Sequence, residues 1–195
     1  MRPLLVYIHG FNSSSQSAKA AEVGRYLQAK NLEVDYLSPT FANYPGLAYQ
    51  QLEDIISEQR QQGREKIALI GSSLGGFMAT ALAERHKVLA LLINPVVYPY
   101  HLIKFLLGEN TNSFTGERFF LEEKHIDELH QIEVSPLANP QRLRVLLQKG
   151  DELLDYSQAE NYYQGSAMLV EEGGSHSFEG FDQHLPEALK FLEIA

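Results

Sequence analysis

Five residues, Gly71-Ser72-Ser73-Leu74-Gly75, constrain this chain more than any others. They follow the apolar run Lys66–Ile70 and precede Gly76–Ala83, a stretch of helix-compatible residues. The order reads strand, sharp turn, helix. The run has the form G-x-S-x-G, and in that context the pattern lifts a serine hydroxyl above a sheet edge on a strained turn. Glycines two residues before and two after the serine are required because a side chain there would collide within so tight a turn. Register selects between the two serines. Ser72 has Ile70 and Leu74 at the flanking positions, so Ser73 alone fits. A glycine-rich turn whose serines merely cap a helix meets the same pattern, and the rest of the chain has to separate the two readings.

Short apolar runs alternate with helical patterns from end to end. Strands are expected at Leu4–Ile8, Leu32–Leu37, Lys66–Ile70, Val88–Ile93, Leu143–Gln148 and Met168–Glu171. Helices are expected at Ser17–Lys30, Leu47–Gln61, Gly75–Arg85, Tyr156–Tyr163 and Pro186–Leu192. Strands separated by helices predict an α/β fold, a three-layer sandwich around a mostly parallel sheet of about six strands. The unbroken apolar run Ala90–Ile93 suits a strand buried on both faces. At 195 residues the chain is expected to be one domain, 1–195. Residues 94–142 interrupt the rhythm. A connection of that length carries its own helices or a function. It is expected to be a small cap-like helical insertion over the sheet's C-terminal edge, with Phe105, Phe119 and Phe120 as candidate pocket walls.

Composition excludes several classes. With 16 Lys and Arg against 25 Asp and Glu, the formal net charge of -9 repels phosphate backbones, so no nucleic-acid partner is expected. The absence of cysteine removes disulfides, thiolate catalysis and zinc–cysteine sites. His125 and His130 are five residues apart, which does not place them well on one helix face, and there is no H-E-x-x-H, so no metal is expected. The N-terminal apolar run is too short for a secretory leader, starts at Pro3 and lacks a small-residue cleavage site. No stretch approaches the roughly 18 apolar residues of a membrane span. A cytoplasmic location, a small-molecule substrate and no cofactor are the expectations.

A serine hydroxyl is a poor nucleophile at neutral pH. It needs a base, the base needs orienting, and the developing oxyanion needs donors. His176, in Glu172-Gly173-Gly174-Ser175-His176-Ser177-Phe178, follows the last expected strand and is the candidate base. Asp151 follows the strand Leu143–Gln148 directly and is the candidate acid, with Glu152 and Asp155 as rivals. Asp155 better suits a helix cap. In a sheet ordered 2-1-3-4-5-6 the first strand lies beside the third, so the turn His9-Gly10-Phe11 lies beside Ser73. The backbone amides of Phe11 and Leu74 are then the expected oxyanion donors. His9 is expected to hold its loop by hydrogen bonds.

These residues and their surroundings resemble the YqiA-type esterases of the α/β-hydrolase superfamily. The resemblance runs essentially end to end. It includes Tyr7-Ile8-His9-Gly10-Phe11-Asn12-Ser13-Ser14, the turn Gly71–Gly76, Ile93-Asn94-Pro95-Val96-Val97, Leu107-Gly108-Glu109-Asn110, Gly150-Asp151-Glu152-Leu153-Leu154-Asp155-Tyr156 and Glu172–Phe178. It implies the α/β-hydrolase fold and a serine esterase hydrolysing acyl esters, with Ser73 as nucleophile, Asp151 as acid and His176 as base. A thioesterase or amidase with the same triad is the alternative within the class. A catalytically silent hydrolase fold that serves as a binding module is the alternative outside it.

Overall fold

Each buried apolar run becomes a strand, and each amphipathic stretch becomes a helix laid against it. The computed structural model describes residues 1–194. In chain order the first half contains β1 (Leu4–Ile8), α1 (Ala18–Ala29), β2 (Asp35–Leu37), α2 (Pro45–Gln61), β3 (Ile67–Ser72), α3 (Leu74–His86) and β4 (Leu89–Ile93). Then come α4 (Pro99–Phe105), β5 (Gly108–Thr111), β6 (Arg118–Leu121) and α5 (Lys124–Ile132). The chain closes with β7 (Leu143–Gln148), α6 (Tyr156–Tyr162), β8 (Ala167–Glu171) and α7 (Phe181–Phe191).

Six strands pair in the order β2-β1-β3-β4-β7-β8, all parallel. Counting only the strands of this sheet, that is the order 2-1-3-4-5-6 expected from the sequence. Successive side chains point to opposite faces. Leu4, Val6, Ile8 and Leu69 face Leu52 and Ile56 of α2 and Met78 and Leu82 of α3. Leu5, Tyr7, Ala68, Ile70 and Leu91 face Val23 and Leu27 of α1 and Leu185 and Leu189 of α7. The three layers follow from that alternation.

Three details differ from the sequence reading. The second strand is only Asp35–Leu37, because Leu32 and Val34 are taken up in the turn leaving α1. The last helix begins at Phe181, and Pro186 lies inside it. The buried stripe Phe181, Leu185, Ala188 and Leu189 holds that helix against the sheet although the proline removes one donor. Residues 94–142 are not only helical. Between α4 and α5 they form an antiparallel hairpin, β5–β6, in which Phe119 and Leu121 are buried and Arg118 and Phe120 are exposed. No helix among the described residues is long and apolar enough to cross a membrane.

The turn between β3 and α3 depends on one close backbone approach. A Cβ on Gly75 would lie 2.1 Å from the Ile8 carbonyl oxygen and 2.5 Å from that of His9. Both obstacles are backbone of the central strand and its turn, so neither can swing away. Gly75→Ala is therefore expected to destabilise the protein by about 3 kcal/mol or more. Gly63→Ala is the control: its φ is positive but nothing lies within 4 Å of the added carbon, so about 1 kcal/mol is expected. Urea denaturation of both variants checks the difference, and equal losses would remove the close approach as the reason for Gly75.

Candidate active site

Ser73 stands between β3 and α3 with φ 56 and ψ -121, a conformation that L-residues rarely adopt. The surroundings hold it there. Its amide donates to the Ile93 carbonyl at 3.1 Å, and its carbonyl accepts from Gly76, Phe77 and Val96. Gly71 and Gly76 are under the same restriction as Gly75. A Cβ on Gly71 would lie 2.3 Å from the Gly75 carbonyl oxygen, and one on Gly76 would lie 2.7 Å from Pro95 Cβ.

The structure brings Ser73, His176 and Asp151 together from three separate loops. His176 Nε2 lies 3.1 Å from Ser73 Oγ, and His176 Nδ1 lies 2.8 Å from Asp151 Oδ2. The carboxylate fixes the tautomer: Nδ1 carries the proton facing Asp151, which leaves Nε2 as acceptor for the serine hydroxyl. The Asp151 side chain is 2 % exposed and that of His176 20 %, so the carboxylate is enclosed while the imidazole edge is open. The other Asp151 oxygen accepts the amides of Leu153 and Leu154, each at 2.9 Å, which locks the carboxylate orientation.

The rival acids have other partners. Glu152 accepts the backbone amide of His176 at 2.9 Å, and that bond holds its carboxyl below the ordinary carboxylate value. Asp155 caps α6, accepting the Ser157 amide at 2.9 Å and its hydroxyl at 2.7 Å, and these bonds likewise lower its carboxyl. Of the three, Asp151 is the one that faces the imidazole.

Phe11, Leu74, Ser73 and His176 line one cavity of about 450 Å³. Among the described residues neither the Phe11 nor the Leu74 amide donates a hydrogen bond to the protein. The Phe11 turn is braced from the β5–β6 hairpin, a support that the sequence reading missed. Asn112 Nδ2 donates to the Ser13 carbonyl and to Asn43 Oδ1, and the Ser113 amide donates to Asn12 Oδ1. Phe119, 4 % exposed, packs edge-on against the Phe11 ring. Phe119 is therefore core and not a cavity wall, and Phe120 faces a different groove beside Leu47 and His125. Phe105, 87 % exposed, lines the cavity above Ser73, as do Leu102, Ile103 and Leu153.

His9 is buried and stacks on Phe41 with ring centroids 3.9 Å apart. Its Nδ1 donates to the Gly10 carbonyl at 2.8 Å, the loop-holding bond expected of it.

Residues 4–193 match the uncharacterised protein family UPF0227. The chain belongs to that family. The resemblance read from its sequence motifs is thereby borne out. A UPF0227 protein of Yersinia pseudotuberculosis is 24% identical over 202 residues, covering 98% of this chain and 99% of the relative. Among solved structures, Est1E from Butyrivibrio proteoclasticus superposes with a TM-score of 0.74 at 16% identity, covering 97% of this chain and 86% of its own. The mouse alpha/beta hydrolase domain-containing protein 10 gives 0.70 at 19% identity, covering 95% and 87%. The Pyrococcus furiosus esterase Pf2001 gives 0.65 at 16% identity, covering 96% and 80%. The UPF0227 chain thus has the α/β-hydrolase fold, and its structural neighbours include esterases.

Burial pushes the His9 imidazole below its ordinary value of 6.5, while the bond to Gly10 works weakly the other way. The unfolded chain then takes up a proton near pH 6.5 that the folded chain resists. The neutral His9 thus favours folding above that pH, and the contribution is lost as pH falls below it. His9→Phe keeps the ring against Phe41 but cannot titrate. The fall in melting temperature between pH 7 and pH 5 is expected to be shallower in this variant than in the wild type. Parallel curves would show that His9 does not titrate with unfolding.

Proposed function

We propose that this protein is a serine esterase hydrolysing carboxylic acyl esters through an acyl-enzyme, with Ser73 as nucleophile, His176 as base and Asp151 as orienting acid. The observation that carries the reading is the unbroken chain of contacts from Asp151 through His176 to Ser73, ending at an apolar cavity. The esterase neighbours Est1E and Pf2001 are consistent with it.

The chemistry follows from the geometry. Ser73 Oγ attacks the acyl carbonyl as its proton passes to His176 Nε2. Asp151 stabilises the imidazolium and holds the tautomer that makes the transfer possible. The carbonyl oxygen gains negative charge and takes the free amides of Phe11 and Leu74 as donors. Because the serine precedes α3, that charge also lies at a helix N-terminus. Collapse expels the alkoxide, which takes the proton from His176 and leaves Ser73 acylated. A water molecule, deprotonated by His176, then attacks the acyl carbonyl. Ser73 leaves and recovers its proton, and the acid product departs. We assign residues 94–142 as a cap-like insertion within the single domain, its α4 forming the wall of the acyl pocket through Leu102, Ile103 and Phe105.

An active-site phosphonate is expected to label Ser73 stoichiometrically. Label on Ser72, or none on the folded protein, would overturn the assignment. Asp151→Asn is expected to fold but to lower kcat by about 10⁴, because the amide permits the wrong imidazole tautomer. Asp155→Ala is expected to keep its activity and to lose about 1 kcal/mol of stability with the helix cap. If the kinetic defect follows Asp155 instead, the triad has to be redrawn. Phe105→Ala is expected to change the ratio of kcat/KM between long and short acyl esters by an amount on the order of 1–3 kcal/mol. Phe120→Ala leaves that ratio unchanged in the same panel.

A further inference from the structure

Asn94 follows β4 directly, at the sheet edge that carries Ser73. It is 2 % exposed and adopts φ 39, in the left-handed region. Its backbone amide donates to the Leu146 carbonyl at 2.9 Å, across to β7. Its side chain makes three hydrogen bonds. Oδ1 accepts the Gln148 amide at 3.0 Å, while Nδ2 donates to the carbonyls of Ser175 at 3.0 Å and His176 at 3.2 Å. The orientation of the carboxamide follows from its partners, since one is an N–H and two are C=O. One buried side chain thus ties the end of β4 to the end of β7 and to the peptide of the imidazole-bearing residue itself.

Gln148 extends the tie. It is buried at the last position of β7, three residues before Asp151. Its Oε1 accepts the amides of Ser175 at 3.2 Å and Glu179 at 2.8 Å, and its Nε2 donates to the Glu179 carbonyl at 2.9 Å. The loop bearing His176 is therefore held at both ends by Gln148 and in the middle by Asn94. The remaining polar group of that peptide, the His176 amide, is taken by Glu152.

We propose that Asn94 is a positioning residue for the reaction. Its carboxamide, backed by Gln148, sets where the His176 backbone lies and so where Nε2 meets Ser73 Oγ. Asn94 touches none of the reacting atoms, is not itself part of the cavity lining, and acts through the His176 backbone. The proposal rests on the Ser73–His176 reading above. Its physical basis is the steep dependence of proton transfer on placement: a shift of about 1 Å at a reacting group costs about 100-fold in rate.

Two substitutions separate this role from a merely structural one. Asn94→Gly accepts the left-handed backbone without strain but has no side chain. Asn94→Asp keeps shape and size, tolerates the same φ, and presents an acceptor to two carbonyls in place of a donor. Both are assayed well below their melting temperatures, with the wild type, on a short acyl ester and with the phosphonate. Both variants are expected to remain folded and to keep KM within about twofold, because Asn94 is not among the residues that line the cavity. Both are expected to lose about 10- to 100-fold in kcat and in the rate of Ser73 labelling. If Asn94→Gly restores wild-type kcat, the residue serves only the backbone turn and the proposal is overturned. A rise in KM without a fall in kcat overturns it as well. If either variant fails to fold, the other and Gln148→Glu, judged by the same split, decide. A wild type that neither turns over ester nor takes the phosphonate overturns the esterase reading, and the proposal falls with it. An active wild type with unaffected variants overturns the proposal alone.

Discussion

The approach of Gly75 to the carbonyl of Ile8 is the contact on which the rest of the site depends. It lets α3 start directly against the end of β1, and that proximity forces the chain through Ser73 in an unfavourable backbone conformation. A non-glycine residue at φ 56 and ψ -121 costs on the order of 1–3 kcal/mol. The cost is offset by four backbone hydrogen bonds to the Ser73 peptide groups and by ten successive buried residues at the start of α3. The strained residue is therefore over-determined by its surroundings. Its hydroxyl is held in place without a hydrogen bond that chemistry would have to break, except the one to His176.

Much of this was legible from sequence because the fold repeats one physical rule. Ala90–Ile93 has no polar residue, so it had to be covered on both faces, and it is. Gly71 and Gly75 flank Ser73 at the spacing that the turn demands, which places the serine from chain spacing alone. His176 and Asp151 followed from their positions after strands that end at the same edge. Chain position favours Asp151 as the acid and Asp155 as a helix cap, and leaves Glu152 and Asp155 as rivals. Packing removes the rivalry: Asp151 turns to the imidazole, Glu152 to the His176 amide, and Asp155 takes the expected cap of α6.

The parts that were not legible depend on contacts distant in sequence. The β5–β6 hairpin is two four-residue strands, and Arg118-Phe119-Phe120-Leu121 reads equally as part of a helical excursion. What decides it is Phe119 reaching Phe11 and Tyr44, and Asn112 reaching Ser13 and Asn43. Pro186 suggested a helix start by its ordinary preference for the first turn. The burial of Phe181 and Leu185 overrode that preference. Asn94 carried no signal for its side-chain role beyond its place after a strand and within one motif of the family resemblance, because its partners lie more than fifty residues away.

The strand order also governs when the Ser73–His176 contact can form during synthesis. Ser73 and the Phe11 turn belong to the first half of the chain and join through β1 and β3. The imidazole comes after β8, an edge strand that pairs only with β7. The layer begun by α1 is completed by α7, the last helix of the chain. A ribosome that has finished two-thirds of the polypeptide has thus produced Ser73 without His176 and a helical layer missing one member. The proposed nucleophile therefore meets its proposed base only once the final segment has emerged and docked. On the proposed esterase reading, the order of the strands is a built-in delay between making the nucleophile and arming it.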